Sequence, residues 1–94
     1  MLVLVNKKHN YCNVGYVVRY DYWGNGYAGE SLKAVSDYLL DSGYYLVECS
    51  CNELNTQSSK TMIKAGFKKD GYIANRRLNK DGSYSGVEFY SKRR

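Results

Sequence analysis

No proline occurs anywhere in these 94 residues, an unusual omission, and histidine and tryptophan occur once each. Cysteine is sparse and odd in number, with Cys12, Cys49 and Cys51 only. No CxxC pair and no Cys/His pair has metal-ligand spacing, which argues against a disulfide framework and a zinc site. Cys49 and Cys51 stand two apart in a strand-like run, share a face, and read as small core hydrophobes. Reduced thiols of this kind fit a cytoplasm. Long apolar runs are missing too. The start Met1-Leu2-Val3-Leu4-Val5 is too short for a signal h-region or a membrane span, so a soluble cytoplasmic protein without a membrane partner is expected. His9 sits beside Lys7 and Lys8 in a polar turn and reads as a surface residue rather than a catalytic one. With no internal repeat, linker or low-complexity segment, residues 1–94 are expected to form one domain, near the lower size limit for a self-sufficient core.

What is present is ordinary in bulk and biased in detail. A hydrophobic content of 44% argues against disorder. Tyrosine supplies 11 of the 14 aromatics, as suits half-buried strands and interfaces where the ring packs and the hydroxyl stays wet. Net charge is +5. A basic balance suits an anionic ligand or partner, without choosing among nucleic acid, acidic protein and a phosphorylated cofactor. The terminal Lys92-Arg93-Arg94 reads equally as a solvated tail.

Periodicity orders the chain as ββαβαββ, an α/β or α+β fold with a mixed central sheet. Met1 to Val5 and Tyr11 to Arg19 alternate as strands, and the short turn between them makes an antiparallel pair. Val14, Tyr16 and Val18 share one face of the second. Ala28, Leu32, Val35 and Leu39 carry helical spacing from about Tyr27 to Ser42, and Gly43 stands at a left-handed cap position. Tyr45 to Cys51 alternates as a strand parallel to the one before the helix. A second helix is expected from about Thr56 to Ala65, ended by Gly66, with Met62 and Ile63 toward the sheet and Phe67 anchoring the exit. Lys69 to Leu78 and Ser83 to Ser91 flank the turn Asn79-Lys80-Asp81-Gly82 as a closing hairpin, with Ser85, Val87 and Phe89 on one face.

Between the second strand and the first helix lies Tyr22-Trp23-Gly24-Asn25-Gly26-Tyr27-Ala28-Gly29-Glu30. Glycines before a helix N-terminus gather unpaired N–H groups and the positive end of the helix dipole, which suits a phosphate. Gly24 to Gly29 formally satisfies G-x-G-x-x-G, with Glu48 about twenty residues on. The dinucleotide fingerprint, however, places its first glycine at the strand end, whereas Tyr20 to Trp23 intervenes here. No Lys-Ser/Thr follows the glycines, which excludes a P-loop. A second motif, Asn55-Thr56-Gln57-Ser58 followed by a short helix and Gly66-Phe67, narrows the choice.

Together these two motifs resemble the GNAT superfamily of acyl-CoA N-acyltransferases, closest to the branch of ribosomal-protein N-terminal acetyltransferases and related resistance enzymes. The resemblance runs from about Cys12 to Tyr90. It implies acetyl-CoA as acyl donor, with Tyr16, Val17 and Val18 beside the pantetheine arm. Amides of Trp23, Gly24, Asn25, Gly26, Tyr27 and Ala28 would wrap the pyrophosphate, where a Cβ at the glycines would obstruct the approach. Asn55 and Ser58 would stand where the thioester enters, with Ser58 returning a proton to the departing thiolate; helix capping is the alternative for both. Many family members carry a tyrosine as general acid seven residues after the asparagine, where this sequence has Met62. Glu48 and Glu53 are base candidates by position, against solvated or salt-bridged roles. The implied reaction is direct acetyl transfer to a primary amine, on a protein N-terminus or a small molecule, with no metal.

The resemblance also leaves a gap. The family's first strand and the two helices after it have no counterpart here, so the acceptor side is incomplete, and Met1 to Val5 becomes an apolar sheet edge that invites a homodimer. Three readings follow: an acetyltransferase, a CoA-binding remnant or regulatory module without turnover, and a small basic nucleic-acid-binding domain. The last lacks a clustered basic–aromatic stripe.

Overall fold

The computed structural model describes residues 2–15 and 27–93. Its elements are β1 (Leu2–Asn6), β2 (Tyr11–Gly15), α1 (Tyr27–Asp41), β3 (Leu46–Asn52), α2 (Thr56–Lys64), β4 (Lys68–Leu78) and β5 (Tyr84–Arg93), the ββαβαββ order expected. The five strands make one sheet in the order β1-β2-β3-β5-β4. β1 is antiparallel to β2, β2 parallel to β3, and β5 antiparallel to both β3 and β4. It follows that β4 runs parallel to β3, although β5 lies between them.

Two parallel crossovers result, through α1 and through α2, and both step across the sheet in the same direction. The right-handed preference of such connections puts their helices on the same face. The core agrees: Cys12, Val14, Val47, Cys49 and Tyr90 of the sheet pack with Leu32, Leu39 and Leu40 of α1 and with Met62, Ala65 and Phe67. Val35 of α1 and Val3 of β1 pack partly buried against this cluster.

Local signals place the helix ends. Gly43 has φ 105°, and the N–H groups of Gly43 and Tyr44 return to the carbonyls of Leu40 and Leu39 at 3.1 and 3.3 Å, a left-handed C-terminal cap. In α2 the inward stripe is Ser58, Met62 and, just past its end, Ala65. Ile63, expected toward the sheet, is instead 58% exposed. One residue turns an α-helix by about 100°, so only one of two neighbours can lie on a narrow inward stripe, and Met62 occupies it. Phe67 is buried as the chain leaves the helix, and His9 is exposed.

On β5 the register sets Tyr90 beside Cys49, under the helices, so Ser85, Val87 and Phe89 alternate to the opposite face. Three long-range contacts tie the layers together. Lys92 Nζ donates to Asp37 Oδ1 at 2.7 Å and Ser36 Oγ at 3.3 Å on α1, and to the Ala65 carbonyl at 2.8 Å after α2. Asn10 Nδ2 donates to the Gly43 carbonyl at 3.1 Å. Glu53 Oε2 accepts from the Tyr72 hydroxyl at 2.6 Å and from the Gly86 N–H. The Tyr72 ring lies over Gly86, where a Cβ would collide with it. β1 forms one edge of the sheet, with Leu4 and Val5 exposed. Among the described residues no helix is long and apolar enough to cross a membrane.

Candidate active site

The parallel strands β2 and β3 diverge. Their ladder holds at Tyr11–Leu46, Cys12–Val47 and Asn13–Glu48. Beyond that rung β2 continues to Gly15 against β1, while β3 continues to Asn52 against β5. Each strand keeps its outer partner as the inner ladder ends, which opens a wedge between them. Backbone groups on the wedge walls are suited to pair with an extended ligand bearing amides. At the last rung Asn13 Nδ2 donates to Glu48 Oε1 at 2.9 Å, on the face away from the helices.

Past the end of β3, Asn52 organises the turn into α2. Its Oδ1 accepts from the Leu54 N–H at 3.0 Å and the Ser85 hydroxyl at 2.8 Å, and its carbonyl accepts from the Asn55 N–H at 2.9 Å. Asn55 is the N-cap of α2, its Oδ1 accepting from the Ser58 N–H at 3.0 Å. The capping role considered for Asn55 is therefore fulfilled. Ser58 is buried, and among the described residues nothing hydrogen-bonds its hydroxyl. A buried hydroxyl without a partner is costly, and a ligand atom able to use it would relieve that cost.

Helix α1 begins at Tyr27 and Ala28, whose N–H groups are among the four that an α-helix leaves unpaired at its start. A Cβ on Gly29 would meet Thr61 Cγ2 at 3.9 Å, so the first turn of α1 lies against α2, one turn along from Ser58. Gly29 in the first turn of α1 thus stands beside Thr61, while Asn55 and Ser58 lie at the start of that same helix α2. Tyr16, Val17, Val18, Trp23, Gly24, Asn25 and Gly26 lie outside the described residues.

Protonation states narrow the chemistry. Burial pushes the Cys49 thiol up to about 12, and burial followed by Glu88 raises Cys51. Neither is a thiolate near neutral pH, so neither is a ready nucleophile. The Tyr72 hydroxyl, then the Gly86 N–H, hold the Glu53 carboxyl below its ordinary value. A carboxylate held this way is a weak base and serves as a clamp on the hairpin. Glu48, hydrogen-bonded to Asn13 beside the wedge, is the better placed of the two. Met62 is fully buried in the core and has no proton to give. Sequence reading missed Asn13, the Tyr72–Glu53 pair and Lys92. Alternation placed Asn13 and Glu48 on outward positions of two strands, but only the register makes them neighbours.

A family model for the acetyltransferase (GNAT) domain matches residues 2–68, well over half of the sequence. The chain belongs to the GNAT acetyltransferase family. Among curated proteins no sequence matches. Solved structures share the fold. The microcin C7 self-immunity acetyltransferase MccE, in complex with acetyl-CoA and AMP, is 20% identical with a TM-score of 0.83, covering 97% of this chain and 51% of that one. A ribosomal-protein-S5-alanine acetyltransferase from Vibrio fischeri is 19% identical, with a TM-score of 0.80 and coverage of 96% and 49%. The spermidine N-acetyltransferase from Vibrio cholerae, in complex with CoA and spermine, is 15% identical, with a TM-score of 0.84 and coverage of 97% and 54%. The chain spans about half the length of these structures.

Proposed function

We propose that this chain is an acetyl-CoA-dependent N-acetyltransferase domain that transfers acetyl directly to a primary amine. The observation that carries the reading is the end of the β2–β3 ladder at Asn13–Glu48, with the Asn55-capped start of α2 following β3 and a buried Ser58 hydroxyl that has no partner among the described residues. An extended arm would pair with backbone groups where the two strands part, and a sulfur would suit a buried hydroxyl that lacks a partner among the described residues. Amides at the start of α1, Tyr27 and Ala28 with Trp23 to Gly26 before them, would hold the pyrophosphate. Tyr16, Val17 and Val18 would continue the wedge wall beside the pantetheine.

Acetyl-CoA supplies the acetyl group as an activated thioester. As the amine nitrogen forms its bond to the carbonyl carbon, the carbon–sulfur bond breaks; the amine proton passes to a base and the leaving sulfur takes up a proton. Ser58 hydrogen-bonds the leaving sulfur and passes it a proton that the hydroxyl recovers from water, and Asn55 fixes the turn that presents it. Glu48, oriented by Asn13, is the base for the ammonium, directly or through water. Burial raises all three thiols, Cys12, Cys49 and Cys51, which favours direct attack over an acyl-cysteine. A cytoplasmic single domain, paired with a second copy through the exposed β1 edge, completes the reading. Met62, buried where many relatives of this kind carry a proton-donating tyrosine, favours one alternative, a CoA-binding module without turnover.

Calorimetric titration with acetyl-CoA, followed by CoA-release assays on a panel of amines, separates the two. Binding with turnover is expected; binding without turnover on any amine selects the module, and no binding at millimolar acetyl-CoA refutes both. Gly26→Val should abolish binding. Ser58→Ala should leave affinity within about twofold and lower kcat by about 10- to 100-fold, the range of a single proton-transfer group.

A further inference from the structure

Past the last rung between β3 and β5, Asn52–Val87, strands β4 and β5 run on as a two-stranded arm through Arg77–Ser85 and Leu78–Tyr84 to the turn at Asn79. The arm therefore projects from the end of the sheet where β3 gives way to the Asn52–Asn55 turn and the start of α2. Where the arm begins, the ladder shifts register between Ile73 and Arg77, and Asn75 there has φ 56°. Such an irregularity bends and twists a strand and re-aims the side chains that follow it.

Arg76, Arg77 and Lys80 are all exposed on this arm. Arg76 Nη1 donates to the Ala74 carbonyl at 2.9 Å and Arg77 Nη1 to the Arg76 carbonyl at 3.2 Å. Among the described residues no carboxylate pairs with any of the three. Asp81, beside Lys80 in the turn, accepts from the Ser83 N–H and hydroxyl, which hold it ionised, so the arm's three cations exceed its acids by two charges. Leu78 and Tyr84 stand exposed on the same arm, at 66% and 61%. The family match ends at residue 68, so these charges lie outside the segment that places the chain in its family.

We infer that the arm selects the acceptor, which is the N-terminus of an acidic peptide. The inference rests on the acetyl-transfer reading above. The peptide's amine reaches the wedge beside Glu48, and its Asp or Glu side chains meet Arg76, Arg77 and Lys80. Guanidinium groups suit this task because their fork of N–H donors matches a carboxylate two bonds at a time. Length favours a peptide over a small anionic amine. From Glu48 along β3 to Asn52, and on to Ser85 opposite Arg77, is about six strand residues, or about 20 Å. An extended peptide of about six residues covers that span; a single amino acid does not. Sign disfavours the opposite class, since a polyamine would meet an arm with two more cations than carboxylates.

The test uses the full chain with hexapeptides labelled at the C-terminus, acidic, neutral or lysine-rich after a common N-terminal residue, and reads anisotropy without acetyl-CoA. The acidic peptide should bind at least about tenfold more tightly than the neutral one. The variant R76A/R77A/K80A should lose that preference while keeping its affinity for acetyl-CoA, and R76K/R77K should keep part of it, since charge remains and the fork is lost. Equal binding of all three peptides overturns the inference, as does a triple variant that keeps the preference. Binding or acetylation of free glutamate as efficiently as of the acidic peptide overturns the assignment to a peptide. Acetyl-CoA affinity, measured separately, decides the acetyl-transfer reading: its absence alongside a clear peptide preference sinks that reading and leaves the arm's selectivity standing.

Discussion

The two faces of the sheet are built differently from the same strands. On one, Cys12, Val14, Val47, Cys49 and Tyr90 lie under two helices. On the other, Leu4, Tyr11, Asn13, Leu46, Glu48 and Ser50 alternate outward, and among the described residues no helix covers them. The cause is topological, because both parallel crossovers step the same way and one handedness then loads one face. The covered face carries the stability. The bare face carries the Asn13–Glu48 pair at the last rung of the β2–β3 ladder.

If that division holds, Met62→Ala should cost about 2–5 kcal/mol in denaturant unfolding, as large-to-small changes do in a packed core. Leu4→Ser on the bare face should stay within about 0.5 kcal/mol. Comparable losses at the two sites would break the comparison. Next in size is Lys92→Ala, which removes one ammonium from Asp37, Ser36 and the Ala65 carbonyl and should cost about 1–3 kcal/mol. Lys92→Met should recover part of this through its retained stem. Asn55→Ala removes the α2 cap and should cost about 1 kcal/mol, read in the same unfolding assay.

The smallest effect is a pH dependence. The folded state lowers Glu53 through the Tyr72 hydroxyl first, and lowers Asp37 through Lys33 first and Lys92 second. Both contributions are complete above their ordinary values, the higher being 4.5, and fade as pH falls through the folded values. The melting temperature should thus be insensitive to these groups between about pH 5 and 8 and should drop in acid, and Glu53→Gln should shrink that drop.

Much of this was legible in the sequence. Alternation and 3.6-residue spacing placed the seven elements of the described residues, and Gly43 and Phe67 behave as their neighbours implied. The pairing of Asn55 and Ser58 was legible as well, since capping acts over three residues of chain. Ile63 was misplaced because two adjacent apolar residues bracket the inward direction of α2, and only packing against the sheet chooses between them. Asn13 with Glu48, 35 residues apart, and Lys92 with Asp37, 55 apart, were not legible at all.

By itself, then, the sequence determined the described elements and the caps at Gly43 and Asn55, because each depends on interactions within a few residues. Tertiary structure decided that β5 enters between β3 and β4, that both helices share a face, where β2 and β3 part, and which side chains meet across the sheet. Those outcomes depend on strand register, which many similar alternating runs could satisfy and which only simultaneous packing of the whole sheet selects.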